Sequence, residues 1–178
     1  TLRNGRIKII GDHQFGPQTV DPRVRTCLDQ VWNDFRIQTE NVLRNILIEN
    51  AIGRQLKPRY FASPFASMLH DLASKHCMDL QRHGEGIPGQ LDLTCIDGIG
   101  GFGTAIDSLV AIKTLIFEEK KLTWDELLTA LECNWEGKEA IRQLCLNAPK
   151  FGNGIEWVDH LGKEIYRISL DYVRNNPK

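Results

Sequence analysis

Cysteine is scarce and unpatterned: Cys27, Cys77, Cys95, Cys133 and Cys145 are the only five in 178 residues, and no Cys-x-x-Cys occurs. An odd number at irregular spacing excludes a disulfide framework and a zinc finger, and points to a reducing compartment, the cytoplasm. Each Cys reads as a small buried apolar residue. Charge of one sign is also lacking. Lys+Arg number 22 and Asp+Glu 23, a net charge of −1. No net field draws nucleic acid or an anionic membrane, so neither is expected as a partner. No apolar run approaches the ~20 residues that span a bilayer. No signal peptide is read at the start.

What is present is ordinary globular usage, 42% hydrophobic and 25% charged residues, which excludes disorder for most of the chain. The length suits one domain or a piece of something larger. At this size roughly two-thirds of the unfolded surface is hidden on folding.

Residues 6–10 (Arg-Ile-Lys-Ile-Ile) read as a short strand, followed by a turn-rich loop, Gly11 to Pro17, with Asp21-Pro22 beyond. Thr26 is placed to cap a helix running to about Ala51 and stopped by Gly53. Ser63-Pro64, a cap with proline behind it, opens a helix ending near Gly84. Residues 84–103 are glycine-rich loop around one strand, 91–96, in which Leu91, Leu93 and Cys95 alternate with Asp92 and Thr94. Helical spacing resumes over 104–119. Thr123-x-x-Glu126 is a capping box for a helix to about Cys133. Two more helices are expected, over 138–146 and 155–174. The chain reads as helix-dominated, with two weak strands and no internal repeat.

Four patterns are weighed for chemistry. Gly98-Ile99-Gly100-Gly101-Phe102-Gly103 matches G-x-G-x-x-G between a strand and a helix, a pyrophosphate-binding arrangement, with Glu118 and Glu119 at about the distance of a ribose contact. A dinucleotide fold needs a second parallel strand after that helix. The chain instead starts another helix at Thr123, so a closely packed glycine turn is favoured. His70, His76, Cys77 and His83 stand a heptad apart in pairs, too far for a compact zinc site, and read as ordinary surface and core residues. Glu118-Glu119-Lys120-Lys121 reads as a solvated helix end. No serine stands in G-x-S-x-G, and no Cys has an obvious His and acid partner.

Longer motifs carry a resemblance. Asp107-Ser108-Leu109-Val110-Ala111-Ile112-Lys113 is followed by Ile116-Phe117-Glu118-Glu119-Lys120-Lys121. Asn134-Trp135-Glu136-Gly137, Asn147-Ala148-Pro149-Lys150-Phe151-Gly152-Asn153 and Val158-Asp159 come next. Gly16-Pro17, Asp21-Pro22 and Pro64-Phe65 precede them. In this order, over about residues 1–161, the set resembles the pyruvate formate-lyase-like domain of glycyl radical enzymes.

The resemblance implies a fold, an activity and partners. The family's members are several times longer than this chain and form a ten-stranded α/β barrel. One loop carries the glycine that stores a backbone radical, in a motif like Arg-Val-x-Gly-Tyr; another carries a cysteine, in a motif like Gly-Cys-x-Glu-Pro. The cysteine's thiyl radical abstracts hydrogen from a small organic substrate, and a radical-SAM enzyme installs the glycyl radical. Neither motif occurs here. By motif order, residues 1–178 lie between the cysteine loop and the glycine loop, inside the C-terminal half. They then contribute α/β barrel wall and outer helices, with no radical residue and no cofactor of their own. The partners implied are the remainder of the enzyme and the activating enzyme. Assembly as a homo-oligomer and anaerobic metabolism in the cytoplasm are implied as well.

Pro88-Gly89-Gln90-Leu91-Asp92-Leu93 stands where members often have Gly-Gly-Ala-x-Tyr-Asn, and Gly152-Asn153-Gly154 where they often have Gly-Asn-Asp. The first departure leaves the substrate open among pyruvate cleavage, diol dehydration, choline cleavage, arylacetate decarboxylation and toluene addition to fumarate. Barrel active sites gather at one end of the strands. Strand 91–96 therefore nominates Asp97 and Cys95, on one face by alternation, as substrate-binding residues. Asp97 is favoured over its reading as a cap of the turn, whereas Cys95 is better read as core filler. The other reading is a stand-alone helical interaction module without chemistry. Cysteine- and glycine-loop motifs in the flanking reading frame would decide for the enzyme.

Overall fold

A computed structural model describes residues 2–3, 5–7, 13–83, 86–88 and 100–176. The chain divides into two compact units, Thr1–Leu43 with Gly100–Lys178, and Arg44–Ile99.

The first unit opens with a small antiparallel pair, β1 (Arg6–Ile7) and β2 (His13–Gln14), with Arg6 opposite Gln14 and Ile7 opposite His13. The sequence placed β2 in loop; backbone pairing near Gly5 recruits it. Gly5 has φ 76°, and a Cβ there would lie 2.6 Å from the Pro17 carbonyl oxygen, so only glycine fits. Its own carbonyl accepts from the N–H groups of Phe15 and Gly16. A 3-10 turn over Pro22–Val24 leads into α1 (Leu28–Tyr60).

Helix α1 outruns its expected end. Gly53 does not stop it, because the helix continues through Arg54, Gln55, Leu56 and Lys57, good helix formers that outweigh about 1 kcal/mol for one interior glycine. Pro58 lacks an N–H, and α1 ends two residues beyond it. Near its start, Arg25 donates to both oxygens of buried Asp34, at 2.8 and 2.7 Å. The Thr26 N–H donates to the Gln30 side chain.

Four more helices complete this unit: α5 (Phe102–Ile112), α6 (Trp124–Glu132), α7 (Glu139–Asn147) and α8 (Glu156–Asn175). Helix α5 continues as a π-helix over Lys113–Glu118, where the Glu119 N–H reaches back five residues to Thr114. Lys120, with φ 51°, ends it, and Lys121 pairs with Glu119 at 2.9 Å. The charge run is a helix end, as its composition suggested. At α6 the capping box is complete in both directions: Thr123 accepts from the Glu126 N–H, and the Glu126 side chain accepts from the Thr123 N–H.

The core gathers Val31 of α1, Ile106 and Val110 of α5, Leu127 of α6, and Val158 and Ile165 of α8. Burying each such side chain contributes roughly 1.5–3 kcal/mol. The helices approach closely at Gly162 of α8. A Cβ there would lie 2.8 Å from the Phe151 ring and 3.1 Å from Ile106 Cδ1.

In the second unit, the single helix expected over 63–84 is instead three short ones: α2 (Pro64–Met68), α3 (Asp71–Lys75) and α4 (Leu80–His83). Side-chain acceptors compete for the backbone N–H groups and break the run. His70 Nδ1 accepts from the Ala73 N–H, and Ser67 Oγ from the Leu80 N–H. Cys77 turns the chain at φ 52°. Ala73 and Ile87 are fully or nearly fully buried. Ser63 makes no side-chain cap.

Two stability outcomes follow. Gly162→Ala should destabilise the fold by about 1–3 kcal/mol, because the Phe151 ring or α5 must shift. Thr123→Ala should cost about 0.5–2 kcal/mol through the lost cap. Denaturant midpoints of the two variants check both, and an unchanged midpoint for Gly162→Ala would contradict the contact.

Candidate functional site

Cys95 and Asp97, the nominated substrate-binding residues, lie outside the described residues, as does strand 91–96. What the structure describes is the anchorage immediately after them. Gly101, at φ 79°, caps α5 in the left-handed conformation, and its carbonyl accepts from the Ala105 N–H. Phe102, the first residue of α5, meets Phe151 edge to face at 5.6 Å between ring centroids. One turn on, Asp107 Oδ1 accepts from the Phe151 backbone N–H at 2.9 Å. Phe151 also fills the space that Gly162 leaves open. The end of the glycine-rich loop is thereby fixed to α5, α8 and the turn after α7.

The motifs that carried the resemblance supply this anchorage. Asp107 belongs to the first and Phe151 to Asn147–Asn153. Lys150 Nζ donates to the Cys145 carbonyl at 2.8 Å and ties that turn to α7. In Asn134-Trp135-Glu136-Gly137, three residues have positive φ: Asn134 50°, Trp135 68° and Gly137 67°. The motif ends α6, with the Trp135 N–H donating to Ala130, while the Trp135 side chain packs on the core. Left-handed φ is uncommon for a bulky residue and is retained here against that packing. Lys113 Nζ lies 4.6 Å from the Trp157 ring centroid and also pairs with Glu118, five residues on, a spacing that the π-helix brings together. None of these contacts was legible in the sequence, since each joins residues without a regular spacing.

The other candidates take structural roles, but Cys27, just before α1, and Cys77, at the turn after α3, are exposed rather than buried as expected, because both stand at chain bends and not on a core-facing helix stripe. The described part of the glycine pattern leads into α5, and α6 follows rather than a strand; the expected close packing is not found there, since a Cβ at Gly100, Gly101 or Gly103 would meet nothing within 4 Å, and it is the positive φ of Gly101 that calls for glycine. His70 caps α3, and His83 Nδ1 accepts from the Asp79 N–H at 2.9 Å. No three His, Cys, Asp or Glu side chains are grouped to hold a metal among the described residues. Burial pushes the Cys145 thiol up, against the opposing charge of Lys150. A neutral thiol is a poor nucleophile. A groove of about 470 Å3 lies beside Trp32 and Arg36 of α1 and Arg167, Asp171 and Tyr172 of α8. Its mixed charge favours no single ligand sign.

Asp79, not singled out by the sequence, holds the second unit together. Its carboxylate accepts from the N–H groups of Gln81 and Arg82 at 2.9 and 3.0 Å, and of Ser63 at 2.8 Å. Desolvation raises its pKa, but these N–H donors, Arg82 foremost, outweigh it and hold the carboxyl below its ordinary value. The signal available was Asp at the position before a short apolar-polar run, a helix-capping placement.

Compared with known proteins, the whole chain, residues 1–178, matches the family model described as pyruvate formate lyase-like. Over 173 residues it is 43% identical to an isethionate sulfite-lyase of Oleidesulfovibrio alaskensis, covering 97% of this chain and 20% of that protein. It is 33% identical over 178 residues to a trans-4-hydroxy-L-proline dehydratase of Clostridioides difficile, covering 99% and 22%. The glycerol-bound B12-independent glycerol dehydratase of Clostridium butyricum superposes with a TM-score of 0.69 at 26% identity, covering 99% and 22%. The chain belongs to the pyruvate formate lyase-like family of glycyl radical enzymes. It spans about a fifth of the length of these relatives. The family match reaches past the expected limit near residue 161, through α8.

Asp79 gives a pH outcome. A carboxyl whose folded pKa is depressed stabilises fully above its ordinary value, 3.8 here, and that stability is lost as the pH falls through the lower folded value. Amide exchange at Ser63, Gln81 and Arg82 should therefore accelerate, relative to core amides of α5, as acid protonates Asp79. In Asp79→Asn that added acid response should vanish. Equal acid response in both proteins would contradict the role.

Proposed function

We propose that residues 1–178 are an internal segment of a glycyl radical lyase or dehydratase, lying in its C-terminal half between the cysteine loop and the glycine loop. In this reading the segment supplies wall and outer helices of a ten-stranded α/β barrel and part of the substrate cavity. The observation that supports it is the anchorage of α5: Phe102, Asp107, Phe151 and Gly162 fix the start of the helix that follows Asp97 in the sequence. A carboxylate beside a fixed loop end is suited to orient a small polar substrate, because positioning within a fraction of an ångström is what catalysis needs from a cavity. Cys95, two residues earlier in the sequence, is proposed with it on the alternation pattern alone.

The glycyl radical, stored elsewhere in the enzyme and installed by a radical-SAM activating enzyme, supplies the hydrogen-abstracting chemistry through a cysteine thiyl. This chain's residues bind and orient. The relatives are named for isethionate, trans-4-hydroxy-L-proline and glycerol, all small hydroxylated molecules. We take a hydroxylated sulfonate of the isethionate kind as the leading substrate, because identity is greater to that lyase than to the hydroxyproline dehydratase. The reaction is then a radical elimination that releases sulfite. The balanced charge and the absence of any membrane-length apolar helix among the described residues accord with work in an anaerobic cytoplasm. Assembly as a homo-oligomer belongs to the same reading.

The test expresses the complete polypeptide containing these residues with an activating enzyme, SAM and a reductant. A glycyl doublet in the EPR spectrum and sulfite release from isethionate are expected. Residues 1–178 alone should give no doublet, and a doublet assigned to them would refute the placement. Asp97→Asn keeps shape and removes charge. It should lower kcat/KM by about 10–100-fold, as expected for loss of a hydrogen bond to a charged group, with normal radical content. Unchanged kcat and KM would leave the segment as scaffold only.

A further inference from the structure

The second unit leaves a regular apolar ridge uncovered. Along the C-terminal half of α1, Ile48, Ile52, Leu56 and Tyr60 recur every four residues and are 51%, 52%, 42% and 72% exposed. Phe65 and Leu69 of the adjoining α2 region, also four apart, are 82% and 88% exposed. Four-residue spacing places side chains in one row on a helix. Such rows are the ridges that interdigitate with the grooves of a second helix. Single exposed apolar residues are ordinary, but a row of four along one helix face marks an interaction surface.

Gly53 gives an independent indication. It lies inside α1, beside Ile52 and one turn before Leu56, at a cost of roughly 0.5–1 kcal/mol relative to Ala. Its backbone is not left-handed, and a Cβ there would meet only Lys57 Cε, at 3.9 Å. Nothing among the described residues requires glycine at that position. A second helix approaching closely across the ridge would.

We propose that this ridge is the docking face for an amphipathic helix of the same polypeptide, contributed from outside residues 1–178. The inference rests on the reading of the chain as a segment of a longer enzyme, whose relatives are about five times its length. A helix from the same polypeptide is favoured over a second copy of the chain. Tethering supplies an effective concentration in the millimolar range, so an intramolecular helix occupies the ridge before a separate molecule can.

The experiment is hydroxyl-radical footprinting of the complete polypeptide, read by mass spectrometry on its monomeric and oligomeric fractions. Labelling of Ile48, Ile52, Leu56 and Tyr60 should fall to the level of Val31 and Leu43, which are buried on the same helix. The protection should persist in the monomeric fraction, with cross-links from Lys57 reaching a segment beyond residues 1–178. A ridge that stays labelled overturns the proposal. Protection confined to the oligomeric fraction, with cross-links only to another copy, also overturns it. A polypeptide that gives the glycyl doublet but keeps the ridge labelled sinks this inference alone. One that lacks the doublet but shows the protection sinks only the radical function. A reading frame that stops at both ends of residues 1–178 removes both.

Discussion

The missing side chain at Gly162 is the constraint around which the first unit is arranged. The Phe151 ring and the Ile106 methyl lie where a Cβ would stand. Their approach lets α8 come close to α5 and holds Phe151 against Phe102. Beside the ring, the Phe151 backbone N–H takes an acceptor as well. Asp107 supplies it from one turn inside α5. Steric room, ring packing and a charge-assisted hydrogen bond thus converge on one turn, and each would be weaker without the others.

Legibility followed the range of the interactions. Helices α5 to α8 were visible because their signals are local: amphipathic spacing, the Thr123–Glu126 box, and stops such as Pro149. The 63–83 stretch was misread because its apolar spacing is helical while Asp79, Ser67 and His70 draw backbone N–H groups away from a continuous ladder. An imidazole serving as a cap has no spacing signature, so His70 and His83 were seen only as rejected metal ligands. Gly53 misled in the opposite direction. A single glycine is a weak breaker between strong helix formers, and a left-handed exit would have been needed to end α1 there. Of the candidate site, Asp97 and Cys95 rested on alternation in a short strand, a local pattern without the long-range contacts that decide what lines a cavity.

The motifs that identify the family are, in this chain, instructions for packing. Asp107 and Phe151 lock one turn, and Lys150 ties another. Trp135 holds a left-handed exit from α6, and Lys113 spans a π-turn to reach Glu118 and Trp157. This is physically sensible for radical chemistry. A reactive intermediate is handled safely only where the surrounding groups are fixed in place, and such fixing is done by residues that never touch the reactants. A family can therefore be recognised from a stretch that holds none of its radical carriers.

The two units differ in how far they satisfy themselves, and the difference bears on what this stretch of chain is. In the first, fully buried Ile106, Val110 and Val158 are enclosed by neighbouring helices of the same unit. In the second, the order comes mainly from hydrogen bonds to Asp79, Ser67 and His70, while large apolar side chains stand in solvent. Hydrogen bonds of this kind replace ones made to water, so their net gain is small. Ordering a residue costs roughly 1–2 kcal/mol in backbone freedom alone. Beyond buried Ala73 and Ile87, the large apolar side chains of such a unit add hydrophobic stabilisation when something covers them. That dependence accords with the proposed reading of the chain as a segment, in which local capping sets its shape and the remainder of the polypeptide would cover it.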